Sequence, residues 1–175
     1  MSNVTNIPRI YVACLASYNA GILYGKWIDV YDDHEIMLEE IGEMLEGSKQ
    51  SIAEDWAIHD TEYVPSSVYR AGLTMICRWL GEWNKADEWG NADLFNAWCS
   101  YQGVDDFNGN IYEQFNDSYR GTYDTVEDYV HAYLESCGYL ENLPDVIAYH
   151  IDLAGVYRDW NCTEIRIGGS IAFFN

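Results

Sequence analysis

The sequence predicts an α+β protein, a chain of three small domains: a β-β-α-β N-terminal unit over residues 1–62, a helical middle module over 63–104 and an α+β C-terminal unit over 105–175. Three observations carry that expectation. Short Ile-, Val-, Tyr- and Trp-rich runs open the chain, apolar residues recur at helical spacing through the middle, and a turn cluster followed by helix and hairpin patterns closes it. The chain has 175 residues and a formal net charge of −20, yet 49% of it is hydrophobic, with 15 Tyr, 7 Trp and 5 Phe. A disordered acidic tail would lack those aromatics, because it could not offset its chain entropy by burial.

Arg9 to Leu15 and Ile22 to Val30 read as two strands joined by the turn formers of Ser17–Gly21. A helix follows, capped by Asp32 or Asp33, with Met37, Ile41, Met44 and Leu45 on one face and Gly47-Ser48 at its end. Glu54 to Asp60 reads as a third strand. From Ser67, the residues Val68, Leu73, Ile76, Cys77, Leu80 and Trp83 fall at helical spacing, with no strand signal before Gly103. Trp79, Trp83, Trp89 and Trp98 lie in this stretch and read as core. A turn cluster at Asp105–Asn110 opens the third part. Its best helix runs from Val126 to Cys137, with either Thr125 and Asp128 or Asp124 and Glu127 as capping pair and Gly138 as stop. Pro144 starts a helical stretch toward Trp160, and Ile165–Ile167 with Ile171–Phe174 form a hairpin about Gly168-Gly169.

Charge excludes some partners. A nucleic-acid binder needs Lys and Arg to neutralise phosphates, and an anionic membrane surface would repel this chain. No apolar run approaches the roughly 20 residues of a membrane helix, and the N-terminal segment lacks the pattern of a signal peptide, so a cytoplasmic location is expected. The cysteines Cys14, Cys77, Cys99, Cys137 and Cys162 form no C-x-x-C pair and read as free thiols.

The acids are unevenly placed. Residues 1–60, 61–104 and 105–175 hold 11, 5 and 13 of them, each against three Lys or Arg, giving −8, −2 and −10. Stretches without a basic residue run from Lys26 to Lys49, Lys85 to Arg120 and Arg120 to Arg158. On the first helix Glu35, Glu39, Glu43 and Glu46 stand at steps of 4, 4 and 3, an outward stripe that costs about 0.2–0.5 kcal/mol per like-charged pair. A solvated face needs no such arrangement, since mixed Glu and Lys would be more stable.

Catalytic chemistry finds little support. Asp32-Asp33, Asp105-Asp106 and Glu127-Asp128 could serve glycoside hydrolysis, but chance pairs are expected among 29 acids and none is marked out. Asp106-x-Asn108-x-Asn110 resembles the start of a calcium loop, yet Ile111 stands where glycine is required and Asp117 where glutamate is. Glu127 with His131, and His150 with Asp152, each lack a third metal ligand. No glycine-rich phosphate loop, nucleophile elbow or dinucleotide fingerprint is present, so no cofactor or metal is expected. A halophile's surface would also be acidic, but such chains thin out large apolar side chains and this one does not.

Three segments together resemble the ArdA antirestriction family. They are Arg9 to Asp29, Glu54 to Glu62, and a third set running from Tyr119–Tyr129 through Gly138–Pro144 to Tyr149–Asp152 and Tyr157–Trp160. The resemblance implies a non-enzymatic DNA mimic, an elongated homodimer of three-domain chains, typically carried by mobile genetic elements. Such a protein occupies the DNA-binding groove of type I restriction–modification enzymes, at their specificity and methyltransferase core. Charge supplies a mechanism: two chains of −20 carry as many charges as about 20 base pairs of duplex, at one charge per about 1.7 Å of axis. The expected mimic surface comprises Asp32, Asp33, Glu35, Glu39, Glu43 and Glu46, with Asp105, Asp106, Glu113, Asp117, Asp124, Glu127, Asp128 and Glu135. An acidic decoy of another DNA-binding protein and a carboxylate-based carbohydrate-active enzyme are the alternatives.

Overall fold

Strand β1 (Arg9–Cys14) buries Ile10, Val12, Ala13 and Cys14, so it needs a neighbour on each edge and a layer over its face. Strands β2 (Gly25–Asp29) and β3 (Trp56–Glu62) supply the edges, both antiparallel, in the order β2-β1-β3. Helix α2 (His34–Glu46) supplies the layer, burying Met37, Ile41 and Met44 against β1 and β2. The structure, a computed structural model, describes residues 7–103 and 110–175. The chain folds as two compact units, Met1–Tyr112 and Glu113–Asn175. Both helices and small antiparallel sheets are present, so the protein is α+β as the sequence predicts.

Local features of the first unit depart from the sequence reading, among them β3, which runs from Trp56 to Glu62 rather than from Glu54 to Asp60. The expected turn at Ser17–Gly21 begins as a short helix, α1 (Leu15–Asn19), and β2 starts three residues later than expected. The cause is Ser17, buried with its hydroxyl 3.1 Å from that of Ser48, while its carbonyl accepts the Ala20 and Ile22 amides. The chain reverses only at Gly21, whose φ of +76° suits glycine. On the other edge the register shifts between Tyr11 and Val12, leaving His59 as the extra residue of a bulge, its ring edge-on to Tyr18 at 4.8 Å.

Helices α3 (Ser66–Tyr69), α4 (Leu73–Glu88) and α5 (Ala92–Gln102) complete the first unit, with no strand from 63 to 103. Leu73, Ile76, Trp79, Leu80, Trp83 and Ala86 line the buried side of α4, and Leu94, Phe95, Trp98 and Cys99 that of α5. Trp89 departs from the expected core role: it follows the last residue of α4 and is 75% exposed.

Helix α6 (Ile111–Ser118) leads into the second unit, where β4 (Tyr119–Tyr123), β5 (Thr163–Ile167) and β6 (Ser170–Phe174) form an antiparallel sheet in the order β4-β6-β5. Neither α6 nor β4 follows from the sequence pattern. The central strand explains β4: β6 buries Ile171, Ala172, Phe173 and Phe174 in a row and so requires pairing on both edges. The β5–β6 hairpin turns on Gly168 and Gly169, both at positive φ (+58° and +93°), as a two-residue primed turn demands.

Helix α7 (Val126–Ser136) is capped by Thr125, whose hydroxyl accepts from the Asp128 amide at 3.1 Å, so Thr125–Asp128 is the operative capping pair. The stretch after Pro144 is two short helices, α8 (Asp145–Ala148) and α9 (Leu153–Arg158), rather than one. Asp152 interrupts it by capping α9, its carboxylate accepting the Gly155 amide at 2.9 Å. Tyr129 of α7 stacks on Phe173 at 4.1 Å, and with Ile171 they form a core packed by Tyr123, Val126, Tyr157, Trp160 and Cys162.

Truncating Phe173 removes the sheet side of that stack. Phe173→Ala is expected to cost about 3–5 kcal/mol in urea unfolding, whereas Thr125→Ala, which loses one cap, costs about 1 kcal/mol. Comparable losses for the two variants would contradict this account of the core.

Candidate functional site

Helix α2 carries two faces with different duties. At about 100° per residue, Glu35, Glu39, Glu43 and Glu46 fall within an arc of about 80°, diametrically opposite Met37, Ile41 and Met44. Burial of the three apolar side chains therefore points all four carboxylates outward, and all four are exposed. Asp32 and Asp33 extend the row from the preceding turn and are also exposed. Asp33 has a second duty as N-cap, accepting the Glu35 amide at 3.0 Å.

The stripe is sparsely neutralised. Lys26 pairs with Glu40 at 2.6 Å, on the flank of the helix, and Glu40 is only half-buried. The hydrogen bond from Lys26 to Glu40, reinforced by the charges of Glu40 and Glu43, holds the ammonium above its ordinary pKa. A hydrogen bond to the same carboxylate, followed by its charge, raises Tyr31. Glu40 thus has partners of its own beside the stripe. Among the described residues, Asp32, Glu39, Glu43 and Glu46 make no ion pair with Lys or Arg, and Glu35 faces only His34, at 3.1 Å. The field of Asp33 and Asp32 reaches α4, where it adds to burial in raising the Cys77 thiol.

In the second unit Glu127, Asp128 and Glu135 lie on α7, with Asp124 just before it, and all four are exposed. Two are anchored: Asp128 accepts from the Thr125 hydroxyl at 2.6 Å and Asp124 from Ser170 at 3.1 Å. His131 sits between Glu127 and Glu135 and reaches Glu135 at 3.5 Å. Glu113 and Asp117 stand one turn apart on α6, both exposed. Asp105 and Asp106, with most of the predicted turn cluster, lie outside the described residues.

The acid surface is broader than the sequence reading. Exposed carboxylates at Asp29, Glu54, Asp55, Asp60, Glu141, Asp145, Asp159 and Glu164 were not among the expected residues. Only the α2 stripe has a periodicity that marks it, while these others are scattered over loops, strands and the start of α8. The adjacent acids Asp32-Asp33 and Glu127-Asp128 are all exposed, and one of each pair, Asp33 and Asp128, is engaged at a helix N-terminus. Among the described residues no group of three or more His, Cys, Asp or Glu is placed to hold a metal ion, and no helix is long and apolar enough to cross a membrane.

Two α+β units with exposed carboxylates along their helices make a strongly anionic protein. The family model for antirestriction protein (ArdA) matches residues 10–169. The chain belongs to the ArdA family of antirestriction proteins, which are inhibitors of restriction. No curated protein matches the sequence.

Repulsion along α2 should be measurable as a stability deficit. Replacing Glu35, Glu39, Glu43 and Glu46 together by Gln is expected to raise stability by about 1 kcal/mol, from three like-charged neighbour pairs and the C-terminal dipole. Added NaCl should raise the thermal midpoint of the native protein more than that of the variant. A less stable variant would show that the stripe's carboxylates are held by contacts within the fold.

Proposed function

We propose that the protein inhibits restriction by mimicking DNA, its carboxylates taking the place of phosphates in the DNA-binding groove of a type I restriction–modification enzyme. The observation that carries this reading is the α2 stripe. From the Asp33 cap to Glu46 the helix rises about 20 Å and presents one carboxylate per about 5 Å, against one phosphate charge per about 3.4 Å along a single DNA strand. A stable fold gains nothing from such a row. Arg and Lys side chains that grip phosphates through charge-assisted hydrogen bonds can grip carboxylates by the same chemistry. Phosphate contacts position a DNA-binding protein without reading sequence, so a mimic needs no base-edge pattern.

The same proposal includes the rest of the expected surface: Glu113, Asp117, Asp124, Glu127, Asp128 and Glu135, with Asp105 and Asp106. It includes a cytoplasmic homodimer encoded on a mobile element. The three-part division, with the acid surplus in its outer parts, belongs to it as well. Family membership supports the antirestriction role, and the exposure of every described carboxylate in the set supports its use as a contact surface.

Displacement of a labelled duplex from a purified type I methyltransferase tests the proposal. The native protein is expected to displace it, with an apparent affinity that falls as salt rises. Reversing Glu35, Glu39, Glu43 and Glu46 together to Lys should raise the half-displacing concentration by about tenfold or more, whereas each single change should stay within about twofold. Displacement unaltered by the fourfold reversal would remove α2 from the interface, and none at low salt would remove the mimic itself.

A further inference from the structure

In the second unit a cavity of about 410 Å³ opens beside α7 and the turn after α9. Its walls include Tyr129, Tyr133, Trp160, Asp159, Asn161 and Asn175. Three of these are aromatic rings set nearly at right angles. Trp160 meets Tyr133 at 4.8 Å and 68°, and Tyr129 at 5.8 Å and 82°. Tyr129 is pinned from behind by its stack on Phe173, and Tyr133, the outer wall, is 43% exposed. Asp159 is the one charged side chain in the lining, and among the described residues no Lys or Arg is paired with it.

The neighbouring cations have partners of their own, Arg120 at the cavity wall itself. Arg158 turns to Asp152 at 3.4 Å. Arg120 donates to the carbonyls of Asp117 and Tyr119 and, in the favoured orientation of that amide, to the side-chain oxygen of Asn175. The unit as a whole has eleven carboxylates against three arginines, a field that draws cations and repels anions.

We propose that this cavity receives the guanidinium of an arginine. Faces of Tyr and Trp attract a cation through the ring quadrupole, and a corner of two rings offers two such faces. A flat guanidinium can stack on the Trp160 indole while its paired N–H donors meet the two oxygens of Asp159. A lysine ammonium has no plane to stack and brings a tighter hydration shell, so the site discriminates in favour of arginine. The cation preference stands on the cavity alone. That the arginine is supplied by the restriction enzyme rests on the proposed function, and it adds one anchored contact to an otherwise diffuse charge surface.

The test uses the full chain labelled with ¹⁵N, the Trp160 indole signal being assigned with Trp160→Phe. Titration with N-acetyl-arginine methylamide is expected to give a saturable shift at that indole. The apparent affinity should drop about fivefold or more in Asp159→Asn and in Tyr133→Leu, and for the lysine counterpart of the probe. No saturable shift at Trp160, equal shifts at all seven indoles, or equal affinity for the lysine probe would overturn the site. In the displacement assay, Asp159→Asn with Tyr133→Leu should raise the half-displacing concentration while the α2 stripe is intact. If the native protein displaces DNA and this variant does so equally well, the enzyme's arginine is not the occupant and the proposal falls in that part. If the native protein displaces nothing yet the Trp160 shift is present, the mimic reading fails and the cation site stands.

Discussion

The acid face of α2 depends on the burial of Met37, Ile41 and Met44 against the sheet of the first unit. Those three side chains fix the rotation of α2 about its own axis, and the rotation decides which residues face solvent. With Ile10, Val12 and Ile28 buried in the sheet they cover, the helix cannot roll to spread its carboxylates. Hydrophobic burial of this kind is worth about 1.5–3 kcal/mol per large side chain, several times the repulsion between neighbouring glutamates. The apolar face can therefore hold in place an acid face that disfavours the helix on its own.

The second unit solves a related problem by aromatic packing. Its sheet has only three strands, and Tyr123, Tyr129, Tyr157 and Trp160 complete its core beside the aliphatic Val126 and Ile171. Tyrosine and tryptophan bring large apolar area with a polar tip, which suits a small unit whose core lies close to solvent. The same choice leaves ring faces near the surface. An aromatic core and an aromatic cavity wall are here the same residues, Tyr129 and Trp160.

Periodic features were legible in the sequence, and features owed to distant partners were not. The capped helices α2 and α7, the buried stripe of α4 and the diglycine hairpin all follow from local spacing and turn chemistry. By contrast, α1 depends on Ser48, more than thirty residues from Ser17, and β4 exists because β6 needs a second edge. Asp152 looked like part of a helical run until its carboxylate proved to cap the next turn. The site divides the same way. The α2 stripe was readable because periodicity wrote it, whereas the cavity joins Tyr133 to Trp160 across a break between helices and leaves no local pattern.

The opposition of the two faces of α2 also bears on how such a protein can change over time. Residues that make the helix fold and residues that give it charge occupy separate arcs with little shared contact, so substitutions in one set are close to additive with those in the other. Aspartate can replace glutamate, or a carboxylate can move by one position, without disturbing the buried methionines. Such a surface is free to diverge in sequence while conserving its field.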